Sequence, residues 1–279
     1  MFIFIANILN WAKDKNAPQG DHIITSISVC NLVHEMIKSI RYLNIIYKSL
    51  LMTKIHIALF YIVNSWNFWF STLLCVYFCL KIVNVKHTLY ISMQRNFHKA
   101  LPWLFISVIA GSVILSAPLL IEVSEEISSH LRLNASKNIQ QRIIFLPPKF
   151  NDVLSFMILS LIAMLIFSIS ASAIIISLFK HMNQVQQNFV GFRGPNMTAH
   201  MQALRTVIFF LIANLITLFL FVTVTSMSPT TIWIDVIFPI FSITKVAGSW
   251  SLIKGNRNLD NALRTFISRL RCINKMNEM

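Results

Sequence analysis

Apolar and polar positions divide the chain into long hydrophobic runs separated by short polar breaks. Five runs, at 57–80, 101–121, 153–179, 204–227 and 231–253, hold few charges and are bounded by polar or proline-bearing segments. Each is long enough to cross a bilayer core about 30 Å thick, which takes about 20 mostly apolar helical residues. A weaker run at 21–43 is interrupted by Asn31, His34, Glu35 and Lys38. The opening run, FIFIANILNW after Met1, gives a helix over 1–11 that reaches only about 17 Å and is too short to span. A signal peptide would need a basic start and a small-residue cleavage site, which its flanks lack. It reads instead as the lower half of a helix whose upstream half is absent from this chain. Backbone amides in hydrocarbon must bond within their own segment, so the runs are helices. The expected fold is all-α: one polytopic membrane domain over 1–279, with seven helices, the first incomplete, and a basic tail at 254–279.

Composition agrees. Hydrophobic residues make up 56% of the chain and charged residues only 12%, against about 25% charged in soluble domains. Mean hydropathy is +0.65. The net charge of +14 is distributed unevenly. Segments 12–20, 81–99, 180–205 and 254–279 carry fifteen Lys and Arg against four acids, counting Asp21, whereas 35–54 and 122–152 carry eight against five. Lys and Arg accumulate on the cytoplasmic side, so the C-terminus is expected inside, although Lys38, Arg41, Lys48 and Lys54 make the first outer loop unusually basic. The same charges attract anionic inner-leaflet lipid by about 1 kcal/mol each. Nucleic-acid binding would need a basic face on a soluble domain, and the sequence holds none.

Asn134-Ala135-Ser136 is an N-glycosylation acceptor pattern in the longest segment expected outside; Asn196-Met197-Thr198 fits the same pattern but lies on the inner side. The four cysteines, Cys30, Cys75, Cys79 and Cys272, fall in membrane runs or the basic tail, so no disulfide is expected on the outer face. No glycine-rich phosphate loop, paired-cysteine metal pattern or nucleophile motif occurs, which argues against an enzyme and implies no cofactor and no metal. Charges inside hydrocarbon cost about 2.5–3.5 kcal/mol each and therefore face a partner or a wet cavity. Glu35, Lys245 and Asp235 form the one plausible set, either a structural ion pair or the polar wall of a ligand cavity.

The residues carry a resemblance. LKIVNVKHTLYISMQRNF, from Leu80, resembles the end of the third helix in vertebrate bitter taste receptors, the type 2 taste receptors. Ala6-Asn7 through Trp11 resembles the end of their first helix, and Asp21-His22-Ile23-Ile24-Thr25 the start of their second. Leu178-Phe179-Lys180-His181 is similar to the close of helix five. Gly191-Phe192-Arg193-Gly194-Pro195 with Ala199-His200 resembles the third inner loop, and Ser249, Leu252-Ile253, Asn256 and Leu259 the end of helix seven. Departures are Asn10 in place of an Asp, Gly194 in place of the loop Asp, and Gly248 in place of the His before Ser249. The absence of Asp-Arg-Tyr at helix three and of Asn-Pro-x-x-Tyr in helix seven argues against a rhodopsin-like odorant receptor.

The resemblance implies a G-protein-coupled receptor for small bitter-type compounds that activates a heterotrimeric, gustducin-like G protein at the plasma membrane. The ligand site it implies joins Phe60, Tyr61, Asn64 and Ser65 on helix three, where Asn64 matches the agonist-contacting Asn and Phe60 replaces a usual Trp. Phe238, Phe241 and Lys245 share one face of helix seven, with Asp235 and Glu35 as further polar candidates. Coupling is assigned to Lys81, Asn84, Lys180, His181, His200 and Ser249. A type 1 vomeronasal-like receptor and a small polytopic transporter are the competing readings. A transporter commonly shows internal repeats, and the two halves of this chain show none.

Overall fold

The structure, a computed structural model, describes residues 2–13, 18–47, 50–83, 87–132, 150–188, 195–226 and 231–277. Among the described residues the order is α1 (Phe2–Lys13), α2 (Gln19–Tyr47), α3 (Leu50–Ile82), α4 (Thr88–Arg132), α5 (Phe150–Asn188), α6 (Pro195–Ser226), α7 (Thr231–Gly255) and α8 (Arg257–Asn277), with no strand. The all-α expectation holds. Stretches within α2 to α6, Gln19–Ile40, Ile55–Ile82, Tyr90–Ala117, Leu154–Gln184 and Arg205–Val224, are long and apolar enough to cross a membrane. Helices extend past the apolar runs at several ends. α4 starts at Thr88 and continues to Arg132, α2 continues to Tyr47, and the basic tail forms α8. Hydropathy marks where hydrocarbon begins, whereas a helix continues wherever its backbone bonds are satisfied, in lipid or out of it.

The bundle is arranged around α3, which touches α2, α4, α5 and α6, while α7 closes the ring by packing on α6 and α2. Its apolar window is 72% buried, against 17% for α4 at the rim. Apolar side chains face outward: Trp103, Ile114, Ile169, Phe219 and Val246 are exposed. Polar ones face inward, with Asn64, Asn67, Ser71, Thr72, Asn214, Thr217 and Lys245 buried. This inversion of the water-soluble pattern is the signature of a lipid solvent. Lipid tails gain nothing from replacing one apolar contact by another, so interhelical hydrogen bonds and close packing supply the adhesion. Ser65 and Ser112 hydroxyls bond at 2.9 Å between α3 and α4, and Thr72 donates to the Ala163 carbonyl of α5 at 3.0 Å.

At the end where α1 finishes and α2 begins, the buried Asn7 amide donates to the Thr25 hydroxyl at 2.7 Å, tying α1 to α2. Asn256 stands at the α7–α8 junction with two jobs. Its Oδ1 accepts from the Asn258 and Leu259 amides, capping α8, and its Nδ2 donates to Asp21 Oδ1 at 2.9 Å. Gly255 precedes it, and a Cβ there would lie 2.5 Å from Thr206 Cγ2, so a larger residue would have to push the Thr206 side chain of α6 aside.

Candidate functional site

One turn structure on α3 builds the first half of the site. Phe60 and Asn64, four apart, lie on the same face, and Tyr61 and Ser65 lie on the next. All four are buried. The Phe60 ring is the hub of an aromatic cluster, with centroids of Phe238 at 5.7 Å, Phe241 at 6.0 Å, His34 at 6.1 Å, Phe221 at 6.2 Å and His56 at 6.4 Å. Tyr61 packs on Phe156 at 5.0 Å and on Phe221 at 5.7 Å. Phe241 meets the Phe60 ring edge-on, His34 and Phe238 are tilted to it, and Phe221 and His56 lie near-parallel to it, all at separations favourable for ring pairs. Asn64 Nδ2 donates to the Phe60 carbonyl one turn back at 2.8 Å, and that bond fixes which end of the amide is which. Asn64 Oδ1 is therefore a buried acceptor, and it has no hydrogen-bond partner.

The second half is a polar chain below the aromatics. Lys245 Nζ donates to Asn67 Oδ1 at 2.7 Å, Asn67 Nδ2 donates to Asn31 Oδ1 at 2.8 Å, and Asn31 Nδ2 donates to Ser249 Oγ at 3.0 Å. Three helices, α7, α3 and α2, are joined by it. Glu35 is not the partner of Lys245. It pairs with Lys38 on its own helix at 2.8 Å, while Lys38 also donates to Ser242 Oγ. The i,i+3 spacing brings the two side chains together without crossing a helix interface, and this local pair wins over the distant one. Asp235 lies in α7, but its side chain is outside the described residues.

Two cavities adjoin this chain. A lateral one of about 250 Å³ opens between α1, α2 and α7, against Phe2, Leu32, Glu35 and Trp250. A smaller one of about 20 Å³ lies among α2, α3, α6 and α7. Neither is lined by Phe60, Tyr61, Asn64, Ser65, Phe238 or Phe241, whose rings pack on one another. The sequence reading missed Asn31, His34 and Asn67 as members of the site. Asn67 carried a usable signal: an amide in an apolar run, three residues after Asn64, must find a partner on a neighbouring helix.

At the other end of the bundle, Lys81, Lys180 and His181 are exposed, with Lys81 Nζ 5.6 Å from the Tyr77 ring centroid. Ser249 is only half-exposed and is committed to Asn31. His200 lies in α6 with its side chain outside the description, and Asn84 and Asn134 lie outside the described residues. In α8, Asp260 accepts from Lys254 at 2.7 Å and from Arg264 at 3.0 Å. The bond from Lys254, then that from Arg264, hold its carboxyl below the ordinary carboxylate range. A depressed folded-state value means the contribution is complete above the unfolded value and is lost as pH falls through the folded one. Amide-exchange protection in α8 is therefore expected to stay level from neutral to about pH 5 and to fall only in stronger acid. Asp260→Asn should show the lower protection already at neutral pH.

A helical bundle with apolar flanks and a polar interior is the architecture of a multi-pass membrane protein, and its aromatic cluster holds unpartnered polar atoms at Asn64 Oδ1 and on the His34 ring. The sequence pattern of the family described as Taste receptor protein (TAS2R) matches residues 1–271, and the chain belongs to that family. Taste receptor type 2 member 4 of Gorilla gorilla gorilla is 28% identical over 224 residues, covering 76% of this chain and 71% of that protein. The Homo sapiens member 4 gives the same identity and coverage. Taste receptor type 2 member 9 of Pongo pygmaeus is 24% identical over 285 residues, 98% of this chain and 89% of that one. The family comprises G-protein-coupled receptors for bitter compounds, so the chain is a chemosensory receptor and not an enzyme. A match over nearly the whole chain leaves the vomeronasal and transporter readings without support.

Proposed function

We propose that the receptor takes its bitter agonist at the aromatic cluster of α3 and α7, through Phe60, Tyr61, Asn64, Phe238 and Phe241. The observation that carries this reading is Asn64 Oδ1, a buried acceptor without a partner in the middle of a ring cluster. Ring faces and edges accommodate a small apolar ligand, and one amide oxygen fixes its orientation by accepting a single hydrogen bond. The agonist class is thus a mostly apolar molecule carrying a hydroxyl or N–H donor. Its entry displaces ring–ring contacts, so binding and rearrangement of α3 against α7 are one event. Ser65, Glu35 and Lys245 are engaged with Ser112, Lys38 and Asn67, and support the site without contacting the ligand.

The partner reading follows from charge. Lys81, Lys180 and His181 are exposed where α3 and α5 end and give a basic inner surface for a heterotrimeric, gustducin-like G protein, to which His200 and Asn84 are assigned from the sequence alone. This orientation sets the C-terminal α8 on the cytoplasmic side of the plasma membrane, against anionic lipid. The test is a set of dose–response curves normalised to surface label. Asn64→Ala is expected to raise the required concentration of a donor-bearing agonist about tenfold, equivalent to one hydrogen bond of about 1.4 kcal/mol, with normal surface amount. An agonist lacking the donor should respond equally to both forms. Normal sensitivity with reduced surface delivery would assign Asn64 a purely structural role.

A further inference from the structure

We infer that the small cavity beside Lys245 is a binding site for a monatomic anion, chloride in physiological media. The Lys245 amine is buried against this cavity with donors to spare. Lys245 is buried in the bundle, 6% exposed, and among the described residues no carboxylate forms an ion pair with it. Glu35, which lines the neighbouring cavity, is engaged by Lys38. An ammonium group has three N–H donors, and one of them is used, by Asn67 Oδ1 at 2.7 Å. A buried cation that keeps its charge in a low-dielectric interior requires a counter-charge or a polar shell.

The cavity of about 20 Å³ lies directly against Lys245 and is bounded by Asn67, Ser71, Asn214, Thr217 and Thr244. A second observation points to an occupant. Ser71 is 2% exposed, and its hydroxyl has no hydrogen-bond partner although it lies on the cavity wall. Asn214 Nδ2 donates to the Phe210 carbonyl at 2.8 Å and keeps its second hydrogen. The remaining ammonium hydrogens, the Ser71 hydroxyl and this amide hydrogen make the wall rich in donors. Thr217 and Thr244 direct their hydroxyls to their own helix carbonyls, at 2.8 Å each. Size completes the selection. A cavity needs about 10–15 Å³ on this measure to admit one water, so this one has room for a single small particle and none for a carboxylate or phosphate group. A halide satisfies both the charge and the donors, and it would bind α3, α6 and α7 through one ion.

The test uses the full chain purified into lipid nanodiscs. Its thermal unfolding is followed in potassium chloride and in potassium gluconate at one ionic strength, with bromide as a second halide. Chloride is expected to raise the unfolding midpoint saturably. At ten times its dissociation constant, the folded-to-unfolded ratio rises about elevenfold by mass action. Bromide should act alike, and gluconate should not. Lys245→Met and Ser71→Ala should each remove most of the difference between the salts. Equal midpoints in chloride and gluconate for the unaltered protein would overturn the site and leave a water in the cavity. So would a chloride effect that persists undiminished in Ser71→Ala, a change too small to prevent folding, whatever the yield of Lys245→Met.

Discussion

Phe60→Ala is expected to be among the most damaging single substitutions in the chain, costing about 3–5 kcal/mol of stability. The side chain is 5% exposed and contacts rings from α2, α3, α6 and α7. Removing it leaves a void where six neighbouring rings meet, and rings cannot shrink into such a space. The measurement is the thermal midpoint of receptor extracted in detergent, together with the fraction reaching the cell surface. The agonist response distinguishes this loss from a loss of ligand contact. If the ring is chiefly a plug that the agonist displaces, the receptor that does reach the surface should accept bulkier agonists than the unaltered protein. Phe60→Leu keeps most of the volume and should recover stability without the original agonist preference. A Phe60→Ala receptor with unchanged stability would show that the cluster is already loose.

The second large effect is expected at Asn67, the middle of the chain from Lys245 to Ser249. Asn67→Leu removes the one acceptor bonded to the buried ammonium and leaves Asn31 Oδ1 without its donor. Removing one partner from a buried charge costs about 3–5 kcal/mol, because the charge stays while its compensation goes. Lys245→Met alone should cost less, since a flexible apolar chain replaces the stem and only an amide is stranded. The double variant should then be more stable than Asn67→Leu alone, and that non-additivity is the signature of direct coupling. Unfolding midpoints of the four proteins in one detergent give the cycle. A neutral Asn67→Leu would mean that Lys245 is held by something other than this amide.

The relay also bears on signalling. Ser249 belongs to the stretch similar to the family's helix-seven ending, and the chain of bonds connects it to Lys245 one turn above and to α2 and α3 beside it. A shift of α3 against α7 at the aromatic cluster cannot leave these bonds unchanged, because Asn67 follows Asn64 on the same helix. On the proposed reading, agonist entry at the aromatic cluster would be joined to the inner end through these side chains.

Much of this was readable without coordinates. Length, density and spacing of the apolar runs required transmembrane helices, because hydrocarbon forbids unpaired backbone groups. The clustering of Lys and Arg in alternate segments set the expected orientation. Helical spacing alone grouped Phe60 with Asn64, and Phe238 with Phe241 and Lys245, since one α-helical period puts such positions on one face. The family-like stretches, ordered along nearly the whole chain, supplied the receptor class.

Tertiary structure alone decided which polar groups meet. Sequence could say that Glu35, Lys245 and the in-span asparagines each needed a partner, because an uncompensated polar group in lipid is costly, but that requirement does not name the partner. Glu35 went to Lys38 on its own helix, and Lys245 to Asn67 across the bundle, because the rotation of α2 and α7 about their axes determines which side chains come within hydrogen-bond distance. That rotation is set by the packing of every helix at once, with Gly255 against Thr206 and the rings around Phe60 among its determinants. Helix periodicity fixes which residues share a face; only the assembled bundle fixes what each face meets.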